Sequence, residues 1–188
     1  MSTVKRLENR RIAIMGGSES GKSFLTMGFV RGQWRYEKRR AIVFDPFIRE
    51  HPKFWGPSAW VTADFAVFQR VVNATKGFIV VWDEGTSTGG RDRDRVPLFT
   101  AIRHNHPRFI FIGHRFDAML PVMRGSLTDV MLARCRSGDA EEWADCTTDD
   151  DVMQATTLDQ FAFLHKRMFK PVQILRHSSS GIEAGIQL

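Results

Sequence analysis

Long hydrophobic runs are what this 188-residue sequence most conspicuously lacks. None approaches the ~18 apolar residues that a membrane-spanning helix needs, and GFIVVW (residues 77–82) is among the longest. The basic start, MSTVKRLENRR, has no apolar core of the kind a signal peptide carries. Cysteine is scarce: only Cys135 and Cys146 occur. Their spacing matches no metal-binding pattern and their surroundings suggest no reactive thiolate, so two reduced thiols in a reducing compartment are expected. No internal repeat is visible. A membrane span, a disulfide scaffold and a solenoid are thereby set aside.

What remains is a composition of 43% hydrophobic and 26% charged residues, ordinary for a soluble globular chain. The length suits one domain with a full core. Lys and Arg number 27 against 21 Asp and Glu, a surplus of +6 that suits a polyanionic partner such as nucleic acid.

Apolar runs alternate with helical or polar segments along the chain. Strands are expected at residues 11–15 (RIAIM), 41–45 (AIVFD, ended by Pro46), 78–84 (FIVVWDE), 108–113 (RFIFIG) and 129–135 (DVMLARC). Helices are expected from Lys22 to about residue 34, from Phe65 to Val72 with Asp64 as cap, and from Pro97 to Asn105. Buried runs alternating with helices imply an α/β fold, a mostly parallel sheet flanked by helices on both faces. Residues 85–95 (GTSTGGRDRDR) lack periodicity and read as a mobile loop. Near the end, TTDDDVMQATTLD reads as a short helix with an acidic N-terminus, QFAFLHK and PVQILRH as late strands, and residues 178–188 as a flexible tail after a single domain spanning 1–177. Trp34, Trp55, Trp60 and Phe65 read as core or subunit-contact residues rather than stacking platforms for bases.

The stretch IAIMGGSESGKSFL carries the strongest chemical signal. Gly16, Gly21, Lys22 and Ser23 satisfy G-x-x-x-x-G-K-[ST], between an apolar strand and a helix as the motif requires. Glycines let the backbone curl so that successive N–H groups face phosphate oxygens, and the helix N-terminus adds positive potential. Nucleotide is therefore expected against Gly16, Gly17, Ser18, Glu19, Ser20, Gly21, Lys22, Ser23 and Phe24. Lys22 would reach the β- and γ-phosphates of ATP, and the Ser23 hydroxyl would ligate Mg²⁺.

The third strand ends in Asp83 and Glu84, where open α/β sheets bind ligands. Asp83 fits the Walker-B role of holding Mg²⁺. Glu84 is placed to polarise an attacking water, and alternation along a strand would point the two carboxylates opposite ways. A water-activating Glu suits a hydrolytic motor; a small-molecule or nucleotide kinase would exclude water and bind an acceptor instead. In P-loop ATPases with such a Glu, the next strand inserts between the Walker-B and P-loop strands. That would make residues 108–112 central and bring His114 near the γ-phosphate, so that His114 or Arg115 senses the nucleotide.

GGSESGKS, FIVVWDE and the block LFTAIRHNHPRFIFIGHRFDAMLPVMRGSLTDVML together resemble the FtsK/HerA superfamily of DNA-pumping ATPases. The likeness is greatest to the genome-packaging ATPases of tailless, membrane-containing viruses, and it covers roughly residues 11–135. The resemblance implies a RecA-like (ASCE) P-loop NTPase fold and an ATP-hydrolysing translocase of double-stranded DNA. It also implies a homo-oligomeric, typically hexameric, ring in the host cytoplasm or at a packaging vertex, with viral portal or capsid vertex proteins as partners. A neighbouring subunit would supply an arginine finger, with Arg103 the first candidate and Arg124 the second. The family commonly carries Gln where this chain has His114. Filamentous-phage assembly ATPases share the pattern but usually carry a membrane segment, and none is evident here. Within residues 85–95, Arg91, Arg93 and Arg95 are candidates for contacting DNA phosphates in the ring channel, which would carry no sequence information.

Overall fold

The computed structural model describes residues 9–85, 93–178 and 181–183. The strands are β1 (Arg10–Met15), β2 (Ala41–Phe44), β3 (Ala59–Thr62), β4 (Ile79–Trp82), β5 (Arg108–Gly113), β6 (Asp129–Leu132), β7 (Ala162–Arg167), β8 (Gln173–Ser178) and β9 (Gly181–Glu183). The α-helices are α1 (Lys22–Glu37), α2 (Phe65–Ala74), α3 (Val96–Asn105), the one-turn α4 (Pro121–Arg124) and α5 (Ser137–Thr147). All described strands join one sheet in the order β3-β2-β4-β5-β1-β6-β7-β8-β9. Pairing is parallel from β3 through β6 and antiparallel from β6 to β9.

Period-two alternation along the central strands builds a core on each face. Ala13 and Met15 of β1, Val80 and Trp82 of β4, and Phe109 and Phe111 of β5 pack with Phe68 of α2, Leu98 and Ile102 of α3 and Trp143 of α5. Their neighbours Ile12, Ile14, Ile79, Val81, Ile110 and Ile112 face the other way, against Leu25 and Val30 of α1 and Trp55. Strands buried on both faces read as continuous apolar runs, which is why these were visible in the sequence. Asp64 caps α2 as expected, its side chain accepting from the Val67 N–H at 3.0 Å.

Several elements depart from expectation. The third central strand, β4, stops at Trp82, so Asp83 and Glu84 belong to a turn; β6 likewise stops at Leu132. The edge strand β3 and helix α5 were not anticipated. The first is only AWVT, and the second is a largely polar run in which Ala140, Trp143 and Ala144 alone are buried. The acidic segment forms a 3-10 helix, Asp150–Thr157, whose Asp149 side chain accepts from the Asp151 N–H. Part of the expected tail, Gly181–Glu183, pairs with β8 as β9.

Two polar ties anchor the antiparallel strand β7, one to the parallel core and one to the segment between α5 and the 3-10 helix. The fully buried Asp129 of β6 accepts from Arg10 Nη1 on β1 (3.1 Å) and from the Thr128 hydroxyl (2.7 Å), and pairs with His165 Nε2 on β7 (2.9 Å). Lys166 of β7 pairs with Asp149.

Candidate active site

At the carboxyl end of β1 the chain turns through Gly16 (φ 146°) and Gly21 (φ 87°) before entering α1. A side chain at Gly16 would collide with Ala133, just past β6: a Cβ there would lie 2.7 Å from the Ala133 Cβ. The first intrahelical bond runs from the Leu25 N–H to the Gly21 carbonyl, and no side chain caps the helix. The N–H groups of Lys22, Ser23 and Phe24 are therefore outside the helical ladder, the arrangement that makes a helix N-terminus an anion site.

Lys22 is buried, and its Nζ donates to the Gly17 carbonyl at 2.6 Å and to Ser20 Oγ at 3.4 Å. Burial lowers its pKa, and the charges of Glu84 and Asp83 act in the opposite sense. The Phe24 side chain, by contrast, is exposed and meets Phe54 edge-to-face at 5.2 Å.

The Ser23 hydroxyl donates to Asp83 Oδ2 at 3.0 Å, joining two residues sixty positions apart at the mouth of the loop. Asp83 Oδ1 accepts from the Glu84 N–H at 2.8 Å. Burial pushes the Asp83 carboxyl up to about 6, against the opposing pull of those two hydrogen bonds. Two hard oxygen donors side by side, one a buried carboxylate that gains from a cationic partner, fit a Mg²⁺ ion.

Glu84 adopts a left-handed backbone conformation, φ 53°. A non-glycine residue there costs on the order of 1–2 kcal/mol. The turn, rather than strand alternation, separates the two carboxylates. It carries Glu84 toward the end of β5, where His114 Nε2 lies 3.0 Å from Oε1 and 3.2 Å from Oε2. The sequence expectation that β5 would lie between β4 and β1 is met, and that insertion is what places His114 beside Glu84.

Gly85 was not singled out by sequence reasoning. Its N–H donates to the Ile112 carbonyl at 2.9 Å, extending the β4–β5 pairing by one bond. A side chain at Gly85 would overlap the ring of Phe111. The signal available was the glycine immediately after the acidic pair.

The remaining candidates lie elsewhere. Arg103 is exposed on the last turn of α3, at the amino-terminal end of the strands and away from its own phosphate loop. Burial and then the nearby Arg103 charge lower the pKa of Arg11. Arg124 is held within its own chain: its Nη1 donates to the carbonyls of Phe116 (3.2 Å) and Met119 (2.8 Å), and its guanidinium lies over the Phe116 ring. Arg115 is exposed beside His114. Of the loop arginines, Arg91 lies outside the described residues, Arg93 is exposed, and Arg95 stacks on Phe65 with 3.9 Å to the ring centroid. Trp55 is core and donates to Asp45 at 2.8 Å, Trp34 lies under Lys38 and Arg40, and Trp60 is exposed on edge strand β3.

Away from the loop, a cleft of about 380 Å³ opens at the amino-terminal end of the sheet, lined by Lys38, Arg39, Arg40 and Lys76 with Glu37 the single acid. Burial and the neighbouring Asp139 push the Cys135 thiol up to about 11, and burial raises Cys146. Both are free. Thiols so protonated are poor nucleophiles. Among the described residues no helix is long and apolar enough to cross a membrane, and no cluster of three or more His, Cys, Asp or Glu forms a metal site.

No protein-family model and no curated protein sequence matches the chain. Solved structures do. The DNA-packaging ATPase B204 of Sulfolobus turreted icosahedral virus superposes with a TM-score of 0.73 at 17% identity, over 90% of this chain and 98% of that one. The genome-packaging NTPase B204 of Sulfolobus turreted icosahedral virus 2, in complex with AMPPCP, gives 0.73 at 17% over 90% and 97%. The pCW3 conjugation coupling protein TcpA, with ATPγS, gives 0.60 at 14%, over 89% of this chain and 59% of that one. At such identities the likeness establishes architecture: this chain has the mostly parallel, helix-flanked α/β fold of the ASCE P-loop NTPases, the fold its motifs led us to expect.

Proposed function

We propose that this protein is an ATP-hydrolysing motor that translocates double-stranded DNA, of the viral genome-packaging kind, built as one ATPase domain and working as a homo-oligomeric ring. The observation that carries the reading is the contact of Glu84 with His114 at the end of inserted strand β5, beside the Ser23–Asp83 pair. A Glu directly after the Walker-B Asp favours a hydrolytic motor, which needs a base for water, over a kinase, which must exclude water and bind an acceptor.

In this reading the backbone from Gly16 to Phe24 cradles the phosphates of ATP, and Lys22 exchanges the Gly17 carbonyl for phosphate oxygens. Ser23 and Asp83 hold Mg²⁺, which when bound supplies charge neutralisation at the phosphates. Glu84 takes a proton from the attacking water. His114 is a positioning residue that fixes the Glu84 carboxylate. Arg103 sits too far from its own loop to serve there, so a finger role requires the nucleotide of a neighbouring subunit; Arg124 would first have to leave its carbonyl partners. The DNA partner is supported by the +6 surplus and by the basic cleft at the amino-terminal end of the sheet, together with the DNA- and genome-packaging roles of the B204 proteins that this chain resembles in fold. The motor would act in the host cytoplasm and at a packaging vertex, against portal or capsid vertex proteins.

Phosphate release from ATP, measured alone and then with double-stranded DNA, tests the reading. Stimulation by DNA, with a rise in solution mass on adding an ATP analogue and DNA, is the expected result. Turnover that depends on a small acceptor and ignores DNA would instead make the protein a kinase. Replacing Arg91, Arg93 and Arg95 with Ala should weaken DNA binding and flatten its salt dependence; unchanged affinity would remove the loop from the DNA path.

A further inference from the structure

Phe161 stands out among the described residues that the proposed mechanism leaves unused. It occupies the turn just before β7, after the exposed Asp159 and Gln160 and before the buried Ala162, and is itself 46% exposed. Its backbone is left-handed, φ 62°, and the Ala162 N–H closes the turn onto the Asp159 carbonyl at 3.1 Å. A phenylalanine in that conformation is unfavourable, so the surrounding turn fixes where the ring goes. Its edge lies against the phosphate loop: a Cβ at Gly21 would be 3.1 Å from the Phe161 Cδ1 and 3.7 Å from Cε1.

The order of the strands gives a triphosphate in this loop a direction. The groups suited to its terminal phosphate, Asp83, Glu84 and His114, stand at the ends of β4 and β5, on one side of β1. On the phosphate-loop reading the phosphate chain would cross the end of β1, which would carry the nucleoside to the other side, over β6 and β7. The half-exposed ring leaning on Gly21 is on that side. Aromatic faces stack on nucleobases, purines offering the larger area.

We propose that Phe161 forms a wall of the nucleobase subsite, the purine of the bound triphosphate stacking on its exposed face. The proposal rests on the phosphate-loop reading and adds to it a residue from the far end of the chain.

Calorimetric titration of the full chain with ATP and with inorganic tripolyphosphate, which has no base, tests it. Phe161→Ala should weaken ATP binding about tenfold, the scale of one lost stacking partner, and leave tripolyphosphate affinity unchanged. Phe161→Trp should restore ATP affinity and show indole quenching, relative to wild type, with ATP but not with tripolyphosphate. Equal weakening of both ligands by Phe161→Ala would mean that the ring only props the loop and would overturn the subsite. So would an unchanged ATP affinity. Retained tripolyphosphate binding shows that each variant is folded. A wild-type chain that binds neither ligand would overturn the phosphate-loop reading, and this subsite with it.

Discussion

His114 Nε2 holds both oxygens of Glu84, at 3.0 and 3.2 Å, and does so from just past the end of a strand that enters the sheet between the two halves of the candidate site. If Glu84 activates water, Glu84→Gln should bind ATP with near wild-type affinity and hydrolyse it at least 100-fold more slowly, since general-base catalysis is worth about 10²–10⁴. Lys22→Ala should instead lose tight nucleotide binding altogether. His114→Gln keeps a donor within reach of the carboxylate and should retain turnover within several-fold. His114→Ala should lower kcat by about tenfold or more with little change in ATP affinity, since it touches only the orientation of the base. Single-turnover phosphate release alongside nucleotide titration checks all four, and full turnover by Glu84→Gln would remove it as the base.

Gly85 has no room for a side chain because the Phe111 ring already fills the space. Phe111 is fully buried and meets Trp82 and Phe109 at 5.6 and 6.5 Å, so it has little freedom to retreat. Gly85→Ala should therefore cost about 1–3 kcal/mol by overpacking, read as a lower urea midpoint at unchanged slope. It should also displace Glu84 and so reduce kcat more than it affects ATP binding. Gly125→Ala, where the nearest atom is 3.5 Å away, should be close to neutral in both.

How far the sequence discloses this molecule depends on the distance over which each feature is determined. The phosphate loop is local: Gly16 to Ser23 form one continuous pattern, and the structure folds them as the pattern says. The central strands are visible because burial on both faces makes them continuously apolar. The inserted position of β5 was legible from the Glu that follows the Walker-B Asp, a pairing that in P-loop ATPases goes with an inserted strand, and the His114–Glu84 contact follows from it. Strand β3 was hidden by its shortness and by Trp60, whose side chain faces solvent at the sheet edge. Helix α5 was hidden by its acids, although Ala140, Trp143 and Ala144 keep helical spacing. The position of Phe161 against Gly21, about 140 residues away in the chain, follows from the return of β7 to the sheet and from no local pattern. The split of Asp83 from Glu84 by a left-handed turn was misread as strand alternation, because a strand end and a turn look alike when the residues are acidic.

Asp129 provides the clearest dependence of stability on pH. Burial by itself would raise its pKa, but the hydrogen bonds from His165 and Thr128 and the charge of Arg10 outweigh that and hold the carboxyl below its ordinary value. A carboxyl whose folded pKa lies below its unfolded value of about 3.9 contributes stability that is fully present above that value. The contribution is lost as pH falls through the folded pKa, because the unfolded chain takes up the proton first. Thermal unfolding between pH 5 and about pH 2 should therefore show a falling Tm that Asp129→Asn makes shallower. At neutral pH the same substitution should cost about 3 kcal/mol, since it strips the buried charge partner from Arg10 and His165 at once. The loss should appear first as exchange of β7 amides with solvent, because Asp129 ties β7 to the parallel strands through His165. A Tm profile over acid pH that is the same for Asp129→Asn as for the wild type would show that the triad carries no net charge-linked stability.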